Sequence, residues 1–417
     1  MKTKYSKSRG MEGSILVVTL AVGFLLGLAL CSYLVLVNAQ DRSVARSQRW
    51  NTALDMAEAG IEEGLAQVNA STNFSGTINF SANGWTASAS GFGPVTRNLV
   101  GGFYSVYFVT NPTPTFYSTG YVATPLVNGY VTRRVRLTTT SLPLINVPLG
   151  AVNNINMNGN GAATDSWNSY DPNQSSNGQY DPSKYSSNGS VASVDGVVNI
   201  GNHSILGNLY LGPGASYSSG TNQVTGQIYY DYNVLFPPVT IPNYTWWPAP
   251  TTNGMHDFTI INTALLNSFL VSDSLPIQIE PGVKVTLKVT SGNFQPSSLT
   301  ILGGSTNSGS LTIYQISGTA TFTGNGTGPG FRAEDFYYFG LPGVTAIDLK
   351  GTTSFLGVIY APNAALTLSG GGNNNSLIGS AIVKSVTLNG HYDFHFDMAL
   401  LTNGPVRGYI AGGWQEF

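Results

Sequence analysis

Charge is what this sequence lacks most. Charged side chains make up 9 % of its 417 residues, against roughly 25 % in ordinary soluble domains. A net charge of −2 gives no electrostatic reason to expect nucleic acid as a partner, because binding a phosphate backbone needs a basic face. Cysteine occurs once, as Cys31, so an intrachain disulfide and a cysteine-based zinc site are both excluded. Glycine, asparagine, serine and threonine fill the gap left by charge. Aromatic residues stay plentiful, unlike in disordered chains. The balance is that of a β-rich protein whose exposed faces carry neutral hydrogen-bonding groups, long enough for two or more domains.

The first nine residues hold Lys2, Lys4, Lys7 and Arg9, and from Ser14 to Val37 no charge follows. That run spans about 36 Å as a helix, enough to cross a bilayer core of about 30 Å. The basic flank is expected to stay cytoplasmic, with the remainder exported. A cleaved secretory signal would have a shorter apolar region of about 7–15 residues. "NAQDRSVARSQRWNTALDMAEAGIEEGLAQVN" then continues without proline, and Trp50, Leu54, Ala57, Ile61, Leu65 and Val68 recur at helical spacing. One helix of about 80 Å is expected, half of it for membrane and half for packing on a domain.

The basic leader, the glycine before the apolar run, "GSILVVTL" and "DMAEAGIEEGLAQ" resemble the type IV pilin-like proteins, in particular the PilX-type minor pilins and pseudopilins. That resemblance implies cleavage by a prepilin peptidase after Gly13, leaving Ser14 first, or after Gly10, leaving Met11. Gly13 is favoured because the apolar run begins directly behind it. It also implies pilus or pseudopilus subunits as partners. The location it implies is the inner membrane, with the C-terminal part periplasmic, extracellular or carried on a surface filament. One departure stands out. Major pilins carry a glutamate at the fifth mature position, where this chain has Val18 or, counted from Met11, Ile15. A minor, tip or membrane-anchored subunit fits that better than a repeating one.

From Thr72 to Val147 the pattern turns to period two, in runs such as "GGFYSVYFVTN" and "GYVTRRVRLTTTSL", which read as an antiparallel meander. Arg134 and Arg136 are expected on its wet side, alternating with Val135 and Leu137, while Arg133 falls in turn or strand. Asp165 to Ser193 is polar and without apolar period, a loop or edge segment. Its Asp171, Asn173, Ser175 and Asn177, with Asp165 and Asp181 nearby, offer oxygens of the kind calcium takes. The glycine is misplaced for an EF-hand, however, and Asx-turns explain the same residues.

Beyond Ser193, short alternating strands recur between Gly, Asn and Ser, as stacked β-solenoid coils would. A β-sandwich is the alternative. Pro237, Pro238, Pro242, Pro248 and Pro250 around Trp246 and Trp247 mark an insertion. "GVIYAPNAALTLSGGG…IGSAIVKSVTLNGHYDFHFD" resembles a terminal module fused behind PilX-like anchors in envelope proteins of Planctomycetes and Verrucomicrobia. The expected division is a leader at 1–13, a transmembrane and amphipathic helix at 14–69, a pilin-like meander at 70–147, a polar linker at 148–193 and a solenoid-like domain at 194–417. The fold class is thus α+β followed by a mainly β domain.

Chemistry is the remaining question. His391, Asp393, His395 and Asp397 share one parity of a strand, with Tyr392, Phe394, Phe396 and Met398 on the other. His391, Asp393 and His395 are metal-ligand types at a spacing that can converge. A capping strand that ends the solenoid, polar outside and aromatic inside, explains the same pattern. Among Glu280, Glu334, Asp335, Asp348, Asp393 and Asp397 no pair sits in a recognisable glycosidase motif, and G-x-S-x-G is missing. The expectation is a non-enzymatic, exported structural subunit with no cofactor and no metal, displaying a β-rich domain for assembly or adhesion. A membrane-tethered carbohydrate-binding or carbohydrate-active β-helix protein is the alternative. Trp246, Trp247, Trp414 and Tyr409 are candidate contacts for a glycan or surface ligand.

Overall fold

The computed structural model describes residues 12–71, 80–124, 129–157, 163–219, 223–258, 268–323, 332–351, 354–370 and 375–417. Gly10 and positions 72–79 of the expected meander lie outside them. The described chain has a long N-terminal helix and a mostly β remainder, and it divides into two compact units.

The first unit takes residues 1–66, 79–140 and 411–417. Helix α1 runs unbroken from Glu12 to Ser71. Its large apolar side chains between Ile15 and Leu36 are 49–74 % exposed, and it is the one described helix long and apolar enough to cross a membrane. Further along, one side becomes buried. Strands β1 (Gly91–Leu99), β2 (Gly102–Val109), β3 (Thr115–Ala123) and β4 (Tyr130–Pro143) form an antiparallel meander. The C-terminal strand Val406–Glu416 joins the sheet beside β4, so the chain's last residues belong to this sheet and not to the second unit.

The buried stripe of α1 keeps Ala57, Ile61 and Val68 of the expected one but not its larger side chains. Ala53, Met56, Ala57, Gly60, Ile61 and Gly64 are buried, whereas Trp50 is 45 % exposed and Leu54 and Leu65 are half-buried. Small residues lead because the sheet approaches the helix backbone: a Cβ on Gly120 of β3 would lie 2.0 Å from the Ala53 carbonyl oxygen. Beyond them Glu63 accepts Arg97 at 2.9 Å and the Tyr104 hydroxyl at 2.6 Å. Val135 and Leu137 are buried with Arg134 exposed, as the alternation predicts, while Arg133 pairs with Glu416 and lies over the Trp50 ring.

The second unit holds residues 67–78 and 141–410, and its strand ladders are parallel, unlike those of an antiparallel β-sandwich. On one ladder Phe269, Leu287, Ile313, Tyr338, Ile359 and Ala381 are successive partners, each about 20 residues after the last. All six face one apolar core. Ala381 then pairs with Leu149, and the row continues through Val191, Leu209 and Ile228. A second ladder joins Phe294, Ala320, Ile347, Leu366, Val386, Ile155 and Val198. Residues 149–193 therefore supply ladder strands at Leu149–Ala151, Ile155–Asn156, Ala163–Trp167 and Val191–Ser193. The expected polar linker is part of the β domain: its strands are two to five residues long, too short to show a period.

The order of that row is not the order of the chain. The unit begins mid-stack at Leu149, builds outward to Ile228, crosses to the far end at Trp247 and builds back inward to Ala381. The crossing runs through 231–246, which forms no strand. Its track is the outward-facing row Pro248, Leu270, Lys288, Tyr314, Phe339, Tyr360, Ile382, Gly150, Ala192, Tyr210 and Tyr229. That row is about 48 Å long at the ~4.8 Å spacing of strands. Residues 230–247 reach about 56 Å in polyproline-II form, but only about 27 Å as a helix. Pro237, Pro238 and Pro242 hold the extended form that the distance requires. Along the track Tyr232 packs on Tyr210, Phe236 and Val239 join a second core with Tyr314, Phe339, Tyr360 and Ile382, and Lys288 lies over Trp246.

Candidate functional site

The "HYDFHFD" stretch lies at the seam where the opening and closing parts of the second unit meet. Strand Asp393–Asp397 pairs with Ser376–Leu388 on one side and with Ala163–Trp167 on the other. It is thus an interior strand and not the end of the stack. The expected capping strand fails because sequence neighbours are not stack neighbours here. The parity also reads differently in space. Tyr392 and Phe394 enter the inner core while Phe396, of the same parity, enters the outer one, so strict alternation does not hold through this strand. The opposite parity is not a wet face: His395 is 8 % exposed and Asp397 is 0 % exposed.

His395 is the register partner of Asp165, and its Nδ1 lies 2.7 Å from Asp165 Oδ1. The Tyr180 hydroxyl donates to Asp165 Oδ2 at 2.6 Å, and its ring stacks on the imidazole with centroids 3.7 Å apart. Burial first, and then the bond to Asp165, push the Tyr180 phenol above its ordinary value. His395 Nδ1 and the Tyr180 hydroxyl therefore share the Asp165 carboxylate, one on each oxygen. Such a His–carboxylate pair can orient a base, but its imidazole is stacked under a ring, and among the described residues no serine, threonine or cysteine bonds to it.

The other members of the stretch go elsewhere. His391 Nε2 lies 3.4 Å from Asp393 Oδ2, and Asp393 Oδ1 accepts the Ala163 amide at 2.8 Å. Asp397 Oδ1 accepts the amides of Ser169 and Ala399 at 3.0 and 3.1 Å. Burial raises the Asp397 carboxyl above its ordinary value, and those hydrogen bonds oppose the shift. His391, Asp393 and His395 do not converge, and among the described residues no three His, Cys, Asp or Glu side chains come together as a metal would require.

The loop after Trp167 is held by its own hydrogen bonds. Asp171 Oδ1 accepts the Asn173 amide, and Asp181 accepts Ser176 and Ser183, which together hold its carboxyl down to about 2. The Lys184 ammonium donates to the carbonyls of Pro172 and Ser175 at 3.1 and 2.8 Å. A lysine thus occupies two carbonyl oxygens of this loop. Tyr180, which reaches back from this loop to the seam, was not legible as a site residue: one tyrosine among several in a polar run carries no periodic signal.

The six carboxylates considered for glycoside chemistry are engaged separately. Glu280 takes Gln278, Glu334 takes Tyr170, Asp335 takes the Arg332 amide and Asp348 takes Lys350. Of the candidate ligand contacts, Trp246 is half-buried against the outer core, Trp247 is 45 % exposed on a terminal ladder strand, and Trp414 is 51 % exposed on the strand beside β4. Tyr409 is half-buried, its amide bonded to Asn69. Gly13 and Ser14 lie on the helical backbone of α1.

Residues 277–403 match a family model described as a domain of unknown function, DUF7305, which takes in most of the inward-building part of the parallel stack and the seam strand Asp393–Asp397. No curated protein matches the sequence. Among solved structures, the chain is similar to the crystal structure of the competence-associated pilin ComZ from Thermus thermophilus, at 12 % identity over 88 % of this chain and 97 % of that one, with a TM-score of 0.30.

Proposed function

We propose that this chain is a membrane-anchored, exported structural subunit of the minor pilin or pseudopilin kind, displaying a β-solenoid outside the membrane for assembly or surface adhesion. One observation carries the reading: a single helix, Glu12–Ser71, leaves its first apolar half bare and, from Ala53 onward, buries one side against an antiparallel sheet. A bare apolar half needs lipid or neighbouring helices around it. The solenoid reading is supported by parallel partners about 20 residues apart that share one core. Its partners in this role are the membrane, a prepilin peptidase acting between Gly13 and Ser14, and other pilus subunits.

The proposal includes no catalytic step. Exposed Trp247 and Trp414 favour a second role in binding a glycan or surface ligand. Co-expression with a prepilin peptidase tests the main reading: a mature chain beginning at Ser14 supports it, and an unprocessed chain leaves only a plain membrane anchor. Release of reducing sugar from glycans by the exported part would overturn the structural role.

A further inference from the structure

Just past the apolar run, α1 and the sheet of the first unit border an open cavity of about 730 Å³ whose lining includes Asp41, Arg42, Arg46, Arg49, Trp50 and Tyr130. The three arginines stand at i, i+4 and i+7, one face of a helix. Three other arginines of this unit have side-chain partners: Arg97 pairs with Glu63, Arg133 pairs with Glu416, and Arg136 lies over Tyr117, while Arg134 is exposed on the sheet. Arg42, Arg46 and Arg49 make no ion pair or side-chain hydrogen bond among the described residues, and Asp41 is the one acid in the lining.

We infer that this cavity binds the phosphate of an anionic phospholipid headgroup. Position favours that source. Arg42, Arg46 and Arg49 rise about 7.5, 13.5 and 18 Å beyond Val37. The headgroup layer extends about 5–8 Å past the hydrocarbon, and arginine stems reach several ångströms back toward it. Tyr130, 59 % exposed, is a side chain of the kind that settles at a membrane interface. Chemistry favours it as well, because the guanidinium fork matches phosphate oxygens bidentately. Arginine on the exported flank also opposes the charge bias that orients the span. Neutral Asn, Ser or Thr, which dominate the rest of this chain, would give solubility without that opposition.

The inference rests on the membrane-anchored reading, and the test separates the two. The full chain in mixed micelles of phosphatidylglycerol and phosphatidylcholine is analysed by native mass spectrometry. Selective retention of phosphatidylglycerol is expected, weakening as salt rises and falling about tenfold or more in Arg42→Gln/Arg46→Gln/Arg49→Gln. An unchanged unfolding midpoint certifies the variant, and the salt series on the native chain stands without it. Equal retention of both lipids, retention unmoved by the triple change, or saturable inorganic phosphate binding without lipid preference would each overturn the assignment. A second copy in place of lipid would do the same. Failure of the native chain to enter phosphatidylcholine vesicles would overturn the anchor and leave the micelle result standing.

Discussion

The Tyr360 hydroxyl donates to the Pro237 carbonyl at 2.8 Å, joining the outward row of the parallel stack to the strap that crosses it. Tyr360 lies 0 % exposed, with Phe339 before it and Ile382 after it in that row. The strap has no strand partner, so its carbonyls depend on such isolated donors.

Removing that donor tests the strap directly. Tyr360→Phe keeps the ring and leaves the Pro237 carbonyl without this partner, so a loss of about 1–2 kcal/mol is expected in chemical denaturation. Hydrogen exchange of the amides between Tyr232 and Trp246 is expected to quicken more than that of the ladder strands. Equal quickening throughout would show that the strap is no weaker than the stack.

The seam gives a second test. His395→Phe preserves the stack on Tyr180 and deletes the bond to Asp165, which stays buried, so a loss of about 1–3 kcal/mol is expected. Pairing it with Asp165→Leu should recover part of that loss, because no buried carboxylate is then left without its imidazole. A double-mutant cycle reads the coupling between residues 230 positions apart. Strictly additive losses would show that the pair is not coupled.

Sequence patterning succeeded where neighbours in the chain are neighbours in space, and failed elsewhere. The apolar run, the continuous helix and the alternation of Val135 and Leu137 with Arg134 are local, and the structure has them. The period-two pattern at His391 to Asp397 was equally clear but ambiguous in meaning. Alternation distinguishes two faces of a strand, not a solvent face from a second core. The location of that strand depends on the pairing of Ala381 with Leu149, which no local pattern encodes. The helix stripe holds at Ala57, Ile61 and Val68 and fails at Trp50, Leu54 and Leu65: hydrophobicity weights the large side chains, whereas close packing on β3 also selects Ala53, Gly60 and Gly64.

That close packing predicts a sharp response at one position. A Cβ at Gly120 would meet the Ala53 carbonyl oxygen at 2.0 Å, the Ala57 nitrogen at 2.7 Å and Met56 Cβ at 2.9 Å. Two of these are backbone atoms, so the helix must move as a body. Gly120→Ala is expected to lower the stability of the first unit by about 1–3 kcal/mol, whereas Gly292→Ala, with open space around it, serves as the mild control. Comparable unfolding midpoints for the two would refute the close approach.

Asp397 predicts how stability responds to pH. Burial raises its carboxyl above the ordinary value of 3.8, so between those two values the folded chain holds a proton that the unfolded chain has released. Its contribution to stability therefore falls as pH rises through that window, and the charged form is carried at a cost above it. Asp397→Asn keeps an oxygen for the amides of Ser169 and Ala399 and removes the charge. The variant is expected to melt higher than the native chain at pH 7, with the gap narrowing as pH falls toward 4. Melting curves of both proteins across that range measure it directly. A gap that stays constant or widens on acidification would mean that Asp397 is ionised in the folded chain without penalty, its two amide bonds outweighing its burial.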